Sequence, residues 1–504
     1  TYPEGSLFAR AQADPKQTFK VIVQTQTSQT ESSAQGWSGT NGRFKHQYRF
    51  FHGFSGTLPG WAILYLNERQ PFGPVSITED LPVTLLDQTG PDNWQRTIKA
   101  DQLWTHAAVT CALDSLGHLL DPTCSPLAAY TAPQAPAIAI VDSGISTNKA
   151  ADFGARIVAH VNFASDSANG DPLGHGTMVA GVAAGAANSF TSGGVAQNAP
   201  LVDLRVANSQ GAADTSDVIA ALDWVLQNKN QYNIRVVNLS LTGTQQTSFL
   251  FDPLDQAVER LWLSGVVVVA AVGNNGTATA PTSNLGAPGN DPFILSVGAV
   301  DTNGTPDQSD DFRAPWSAWG YTPDGFLKPE LTAPGRYIVS PVPRTSSLAL
   351  RAPSRIVAPG YMWMSGTSFS SPAVAGVAAQ LLALHPSWTP DQVKGALMAS
   401  ATILGGAGTG VGEVNAAAAS ALGAPPNPNQ GLEAFVRSDP DTGLAVFDPT
   451  AWATTVQTNS AWTSSAWTSS AWTSSAWTSS AWTSSAWTSS AWTSSAWTSS
   501  AWVS

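Results

Sequence analysis

Cysteine, methionine and charge are all scarce in this chain. Of its 504 residues, 2 are cysteine, 4 are methionine and 12% are charged, against ~25% charged in ordinary soluble domains. Acidic residues outnumber basic ones by 35 to 23, a net charge of −12. No Lys/Arg block of the kind that tracks phosphates occurs, which argues against sequence-independent nucleic-acid binding. CxxC and HExxH patterns are missing, so a zinc site has no support. The longest apolar runs, 266–272 and 373–384, fall far short of the ~20 residues that span a bilayer. No charged-then-apolar leader follows Thr1, so the numbering is expected to begin after a removed export signal. In an exported chain Cys111 and Cys124 would pair, closing a short loop worth ~3 kcal/mol. Two free buried thiols are the other reading.

Apolar residues reach 43%, enough for a sizeable core, and the length suggests two to four units. Residues 17–24 read as a strand, 43–58 as two strands broken near His52-Gly53, 61–66 as a short helix and 75–78 as a strand. That makes a small α+β unit over 1–85. Residues 86–134 form a connecting segment that holds the cysteines. From Ala137 strands and helices alternate, the mark of a mostly parallel sheet with helices on both faces, and this domain is expected over 135–423. Strands are expected at 137–141, 200–206, 235–240, 266–272 and 294–300, with helices at 215–227, 253–264, 371–384 and 389–399. The Pro/Asn-rich stretch after Gly423 opens an expected linker over 424–459.

Four short motifs concentrate chemistry in that domain. Asp142 directly follows an apolar strand, so it stands at the carboxyl edge where open α/β sheets gather functional groups. His175 lies between Gly174 and Gly176, which let backbone approach both sides of the imidazole. Ser368 follows Gly366-Thr367 and opens an apolar helix, where free N–H groups favour developing negative charge. Asn274 follows a buried strand and Gly273, a suitable place for an amide donor to an oxyanion. Taken singly, a turn, a structural histidine or a helix cap would explain each.

In the order Asp, His, Asn, Ser, the motifs resemble those of the subtilisin-like serine peptidases, over about 137–417. Secondary motifs agree, among them Asn238-Leu239-Ser240-Leu241 and Ala333-Pro334-Gly335. The resemblance implies a serine endopeptidase in which Ser368 is the nucleophile, His175 its general base and Asp142 the group orienting the imidazole. Asn274 would bind the oxyanion, and Ser240-Leu241-Thr242 would line the cleft and pair with an extended peptide. Phe369 and Thr242 stand where the family often has methionine and glycine, and Thr242 is expected to narrow the subsites. Calcium is frequent in the family, but no cofactor and no metal ligand are assigned here; Asp310-Asp311 reads equally well as a solvated turn. Residues 46–58 and 75–83 resemble the inhibitor-type propeptide of the same family, although 25–42 is poor as its expected first helix. This implies a zymogen whose own propeptide fills the cleft, cut somewhere within 83–95.

The segment 460–504 repeats Ala-Trp-Thr-Ser-Ser, with tryptophan at 462, 467, 472, 477, 482, 487, 492, 497 and 502. A period of five puts these side chains on no single helical stripe and on both faces of a strand. A glycosylated stalk is one reading. The other is self-assembly or cell-surface contact through the tail. The leading expectation is therefore a secreted or cell-surface endopeptidase that takes peptide or protein substrates. The alternative is a subtilase-fold structural subunit of an extracellular fibre or surface layer.

Overall fold

Alternating and continuous apolar strands build two different kinds of sheet in this molecule. The computed structural model describes residues 7–48, 50–80, 82–84, 94–104, 134–188, 190–282 and 284–458. Cys111, Cys124 and the pentapeptide repeats lie outside the described residues.

The first sheet belongs to the N-terminal unit. After helix α1 (Leu7–Ala13), the unit contains β1 (Thr18–Thr25), α2 (Ser28–Asn41), β2 (Arg43–Tyr48), β3 (Gly53–Pro59), α3 (Gly60–Arg69) and β4 (Val75–Glu79). The strands form an antiparallel sheet in the order β2-β3-β1-β4. Phe19, Val21 and Val23 of β1 pack with Ala34 of α2 and with Ile63 and Leu66 of α3. Ile22 points the other way and joins the large core of the following domain, as the two-residue period of a strand requires. Helix α2 forms although it has almost no apolar stripe. Its start is fixed by Thr27 and Thr30, whose side chains cap each other's backbone, while only Glu31, Ala34 and Ser38 are buried. A short strand, β5 (Pro82–Thr84), leaves the unit.

The second sheet is mostly parallel. It contains β6 (Ala137–Asp142), β7 (Ile157–Asn162) and β8 (Leu201–Arg205), the last following helix α4 (His175–Ala184). Beyond β9 (Ala212–Asp214) and α5 (Thr215–Asn228) come β10 (Ile234–Leu239), β11 (Thr242–Gly243), α6 (Pro253–Leu263), β12 (Val267–Ala271) and β13 (Leu295–Asp301). Strands β14 (Phe312–Arg313) and β15 (Leu331–Pro334) and helices α7 (Thr367–Leu384) and α8 (Pro390–Ala399) follow, among shorter elements. The sheet order is β14-β13-β12-β10-β6-β8-β7, with β15 also paired to β13, and only β14 runs antiparallel. Every residue of β6, β8, β12 and β13 is buried, hence their largely Val/Ile/Leu/Ala character; buried polar members such as Asp203 and Arg205 of β8 are hydrogen-bonded, to the Ile145 N–H and the Ser143 carbonyl. Each large aliphatic side chain so buried contributes about 1.5–3 kcal/mol. Helix α7 is long and apolar enough to cross a membrane by composition, but 89% of it is buried inside the protein as a core helix.

The expected linker over 424–459 is a correction. The chain there forms a hairpin, β16 (Val436–Ser438) with β17 (Ala445–Phe447), followed by α9 (Pro449–Thr458). Trp452 is 1% exposed, edge-on to Phe249 at 5.6 Å and stacked on Phe326 at 6.3 Å. Leu432, Phe447 and Trp452 join the main core at irregular spacings of 15 and 5 residues, so no periodic pattern betrays them. Ala451-Trp452 also stands in phase with the later Ala-Trp pairs, ten residues before Trp462.

Candidate active site

The order of strands reverses at β6: β7 and β8 follow on one side, β10, β12 and β13 on the other. Such a switch point opens a crevice at the carboxyl ends of the strands. Asp142 ends β6 there, fully buried, and its Oδ1 accepts the Ser143 N–H at 2.7 Å. The same oxygen is 2.8 Å from His175 Nδ1. His175 is the first residue of α4, and both flanking glycines are sterically required. A Cβ on Gly174, whose φ is 100°, would lie 2.5 Å from Ser346 Oγ, and one on Gly176 would lie 2.3 Å from the Gly144 carbonyl.

Ser368 is the second residue of α7 and only 3% exposed. Its hydroxyl donates to the Ser240 carbonyl at 3.3 Å, and the Ser240 hydroxyl donates to the Ser368 carbonyl at 2.7 Å. Ser240 also accepts from Asn238 Nδ2 at 2.9 Å and meets Ser371 Oγ at 3.1 Å. The Phe369 ring stands 5.6 Å from the His175 imidazole, which brings the heads of α4 and α7 together. Asn274 follows β12, and its Oδ1 accepts both the N–H and the hydroxyl of Thr367 at 2.9 Å. With the oxygen so occupied, the Nδ2 donors are fixed on the opposite side of the amide.

The three expected cleft residues divide. Ser240 and Leu241 are buried, and the Ser240 side chain braces the loop of Ser368. Thr242 opens β11, and a Cβ built on Gly273 would lie 3.8 Å from its methyl carbon and 3.7 Å from Ala318 Cβ. Strand β5 lies between β11 and β9, antiparallel to both. Its partners are Thr84 with Thr242 and Val83 with Gly243 on one side, and Pro82 with Asp214 and Val83 with Ala213 on the other. The N-terminal unit is further held by Asp80, which accepts from Ser216 N–H at 2.8 Å and from its hydroxyl at 2.5 Å. Lys20 pairs with Asp214 at 2.7 Å and Lys45 with Asp217 at 2.7 Å. Asp80 meets the first turn of α5, where a negative charge is favoured.

Sequence reasoning missed two supporting residues. Asp171 accepts from Ser143 Oγ, Gly174 N–H, Thr177 N–H and Thr177 Oγ1, all between 2.7 and 2.8 Å, and so ties the head of α4 to the strand end of Asp142. Complete burial pushes its carboxyl up to about 6. An acid a few positions before a helix start was the available signal. Thr367, which fixes Asn274, was visible only as part of Gly-Thr-Ser. The pair Asp310-Asp311 divides: Asp310 is exposed and accepts from Thr305 Oγ1 at 2.8 Å, whereas Asp311 is 7% exposed and faces Glu413, and burial raises it to about 6. Among the described residues no group of three or more His, Cys, Asp or Glu could hold a metal ion.

Comparison with known proteins accords with this geometry. The sequence profile of the subtilase family matches residues 134–426. The chain is 35% identical to serine protease AprX of Bacillus subtilis (strain 168) over 266 residues, 51% of this chain and 59% of that protein. It is 34% identical to subtilisin DY of Bacillus licheniformis over 285 residues, 56% of this chain and 90% of the relative. Subtilisin E of Bacillus subtilis (strain 168) is 34% identical over 284 residues, 56% of this chain and 65% of its own length. The match thus spans less than two thirds of AprX and of subtilisin E.

Proposed function

Because the chain belongs to the subtilase family, with a subtilisin-like serine peptidase domain, we propose that it is a secreted serine endopeptidase made as a zymogen. The observation that carries this reading is the 2.8 Å bond from His175 Nδ1 to Asp142, on the sheet edge that also holds Ser368 and Asn274. The family mechanism is that of the Ser-His-Asp triad, for which subtilisin is itself a reference case, and it is carried over to these residues. His175 takes the Ser368 hydroxyl proton as Ser368 Oγ attacks the scissile carbonyl. Asp142 holds the imidazole with Nδ1–H toward itself and stabilises the cation that forms. The developing oxyanion is met by Asn274 Nδ2 and the Ser368 backbone N–H, in a site dry enough to make both donors effective. His175 then returns the proton to the leaving amine, and water releases the acyl group by the same steps in reverse.

The position of β5 supports the zymogen. An extended segment of the chain itself pairs with β11 and β9 as a substrate would, by strand addition. The N-terminal unit is therefore read as the inhibitor-type propeptide, with the cut between Thr84 and Trp94. The Thr242 methyl above Gly273 narrows the neighbouring pocket and favours small or slender side chains at the residue before the scissile bond. The alternative of a structural subunit draws on the repeat tail, outside the described residues, and gains nothing from the site geometry. A fluorophosphonate probe with intact-mass measurement tests the proposal. A labelled species lacking the N-terminal unit, modified at Ser368, is the expected result. Unlabelled full-length protein under every activating condition overturns it.

A further inference from the structure

A second buried carboxylate stands one strand away from Asp142 and takes no part in the mechanism above. Asp203, in the middle of β8, is 1% exposed and sits between the apolar Val202 and Leu204. An ion inside a sheet is costly unless it is paired, so its partners are informative. Strand register places them. His160 of β7, Asp203 and Ile140 of β6 lie opposite one another, and the next such row toward the carboxyl edge is Asn162, Arg205 and Asp142. Residues two apart share a face, so Asp203 lies on the side of the sheet that carries Asp142.

Asp203 Oδ2 accepts the Ile145 N–H at 2.9 Å and lies 2.5 Å from His160 Nδ1. The His160 side chain is 39% exposed, so solvent reaches an imidazole bonded to a carboxylate that solvent does not reach. Asp142 makes the same two kinds of contact, with the Ser143 N–H and with His175. Two carboxylate–imidazole pairs thus hold the two ends of the turn 143–145. The turn is crowded between them: Gly144 has a φ of 111°, and a Cβ there would lie 2.2 Å from the Gly170 carbonyl. Arg205 Nε donates to the Ser143 carbonyl at 3.2 Å.

We infer that Asp203 is a positioning residue of the peptidase site, fixing the turn behind Asp142 through Ile145, and that His160 is its counter-charge, which keeps this second anion from acting on the triad. The inference rests on the endopeptidase reading above. The other charges facing the pair are Asp142 on β6, Arg205 on β8 and, from the loop after β7, Asp166 paired with Arg205 and Asp171 beyond Ser143. The hydrogen bond to Asp203 raises the His160 imidazole above its ordinary 6.5, against burial and Arg205. Burial pushes the Asp203 carboxyl up, while His160 and the Ile145 N–H act to lower it. His160 is therefore cationic in the range where an ordinary histidine loses its proton, and the pair adds no net charge beside Asp142.

The test is the pH profile of kcat/KM for a chromogenic peptide anilide cut by the activated full chain, whose acid limb reports the proton on His175. His160→Gln leaves Asp203 without its cation, which favours the His175 imidazolium, so the limb should move up by about 0.3–1 pH unit. Asp203→Asn keeps an oxygen for the Ile145 N–H but removes the anion, so the limb should move down by about the same amount. A merely structural role does not move the limb in opposite directions. Asp203→Ala also loses the acceptor, and its plateau kcat should fall about tenfold below that of Asp203→Asn with KM nearly constant. Limbs that stay in place or move the same way overturn the counter-charge, and an alanine variant as active as the asparagine one overturns the positioning. His160→Gln alters a surface side chain and decides the question if the Asp203 variants do not fold. A parent that cuts no peptide brings down the endopeptidase proposal and this inference with it; a parent that cuts, with unmoved limbs, brings down this inference alone.

Discussion

The peptidase domain and the N-terminal unit are held together internally by similar physics but joined to each other quite differently. Asp142, Asn274 and Ser368 hang from elements buried on every side, so their positions are set by the packing of a whole sheet and of α7. The N-terminal unit has a small core of its own and meets the peptidase domain through a three-residue strand, Asp80 on the head of α5, partly exposed ion pairs such as Lys20–Asp214, and the buried side chains of Ile22, Tyr48 and Phe50. Exposed pairs are worth ~0–1 kcal/mol each. Chemistry is thus built on what cannot move without unfolding, and occupancy of the cleft on a smaller interface of polar contacts and a few buried apolar side chains.

Four perturbations sharpen this contrast. Ser368→Ala should lower peptide hydrolysis about a millionfold, the loss subtilisin shows without its nucleophile and carried over here. Circular dichroism should be unchanged, because the substitution removes one hydroxyl from the head of a buried helix. Asn274→Ala should lower kcat roughly 10²–10³-fold with KM nearly constant; this magnitude too is subtilisin's own. On the other side of the comparison, Asp80→Asn keeps the shape but removes the charge facing the α5 N-terminus. The lag before peptide hydrolysis begins should shorten about fivefold, by ~1 kcal/mol of lost interaction. An unchanged lag would show that the Asp80 charge is not among the contacts that hold the unit.

The smallest effect concerns pH. Burial pushes the Asp291 carboxyl up to about 7, from 3.8 when unfolded. The folded state therefore binds this proton more tightly, so the stability it contributes is present in acid and lost as pH rises from 3.8 through about 7. In the Ser368→Ala background, which prevents self-digestion, the melting temperature should fall between about pH 5 and pH 8. Asp291→Asn should reduce that fall by about 2–4 °C.

Much of this was legible in the sequence. The strands now called β6, β8, β10, β12 and β13 were readable because a strand buried on both faces is filled mostly by apolar residues. The catalytic motifs were readable because each joins a chemically unusual residue to glycines that only a crowded backbone needs. Helix α2 was not: its mostly exposed Ser/Thr/Gln sequence has almost no apolar stripe, and a capping box plus three buried residues suffice once β1 and β3 are in place. The strand β7 was also missed, since its burial is only partial.

By itself, then, the sequence determined the parallel sheet, the order Asp142, His175, Asn274, Ser368 and the family to which they belong, because periodicity and glycine placement are local properties. Tertiary structure alone decided that Asp171 ties His175 to the end of β6, that Thr367 turns the Asn274 amide, and that the Ser240 side chain braces the loop of the nucleophile. It alone seated Trp452 against Phe249 and turned an expected linker into part of the core. These are meetings of residues far apart in the chain, and which distant residues meet is settled only when the buried surfaces of the whole domain are packed against one another.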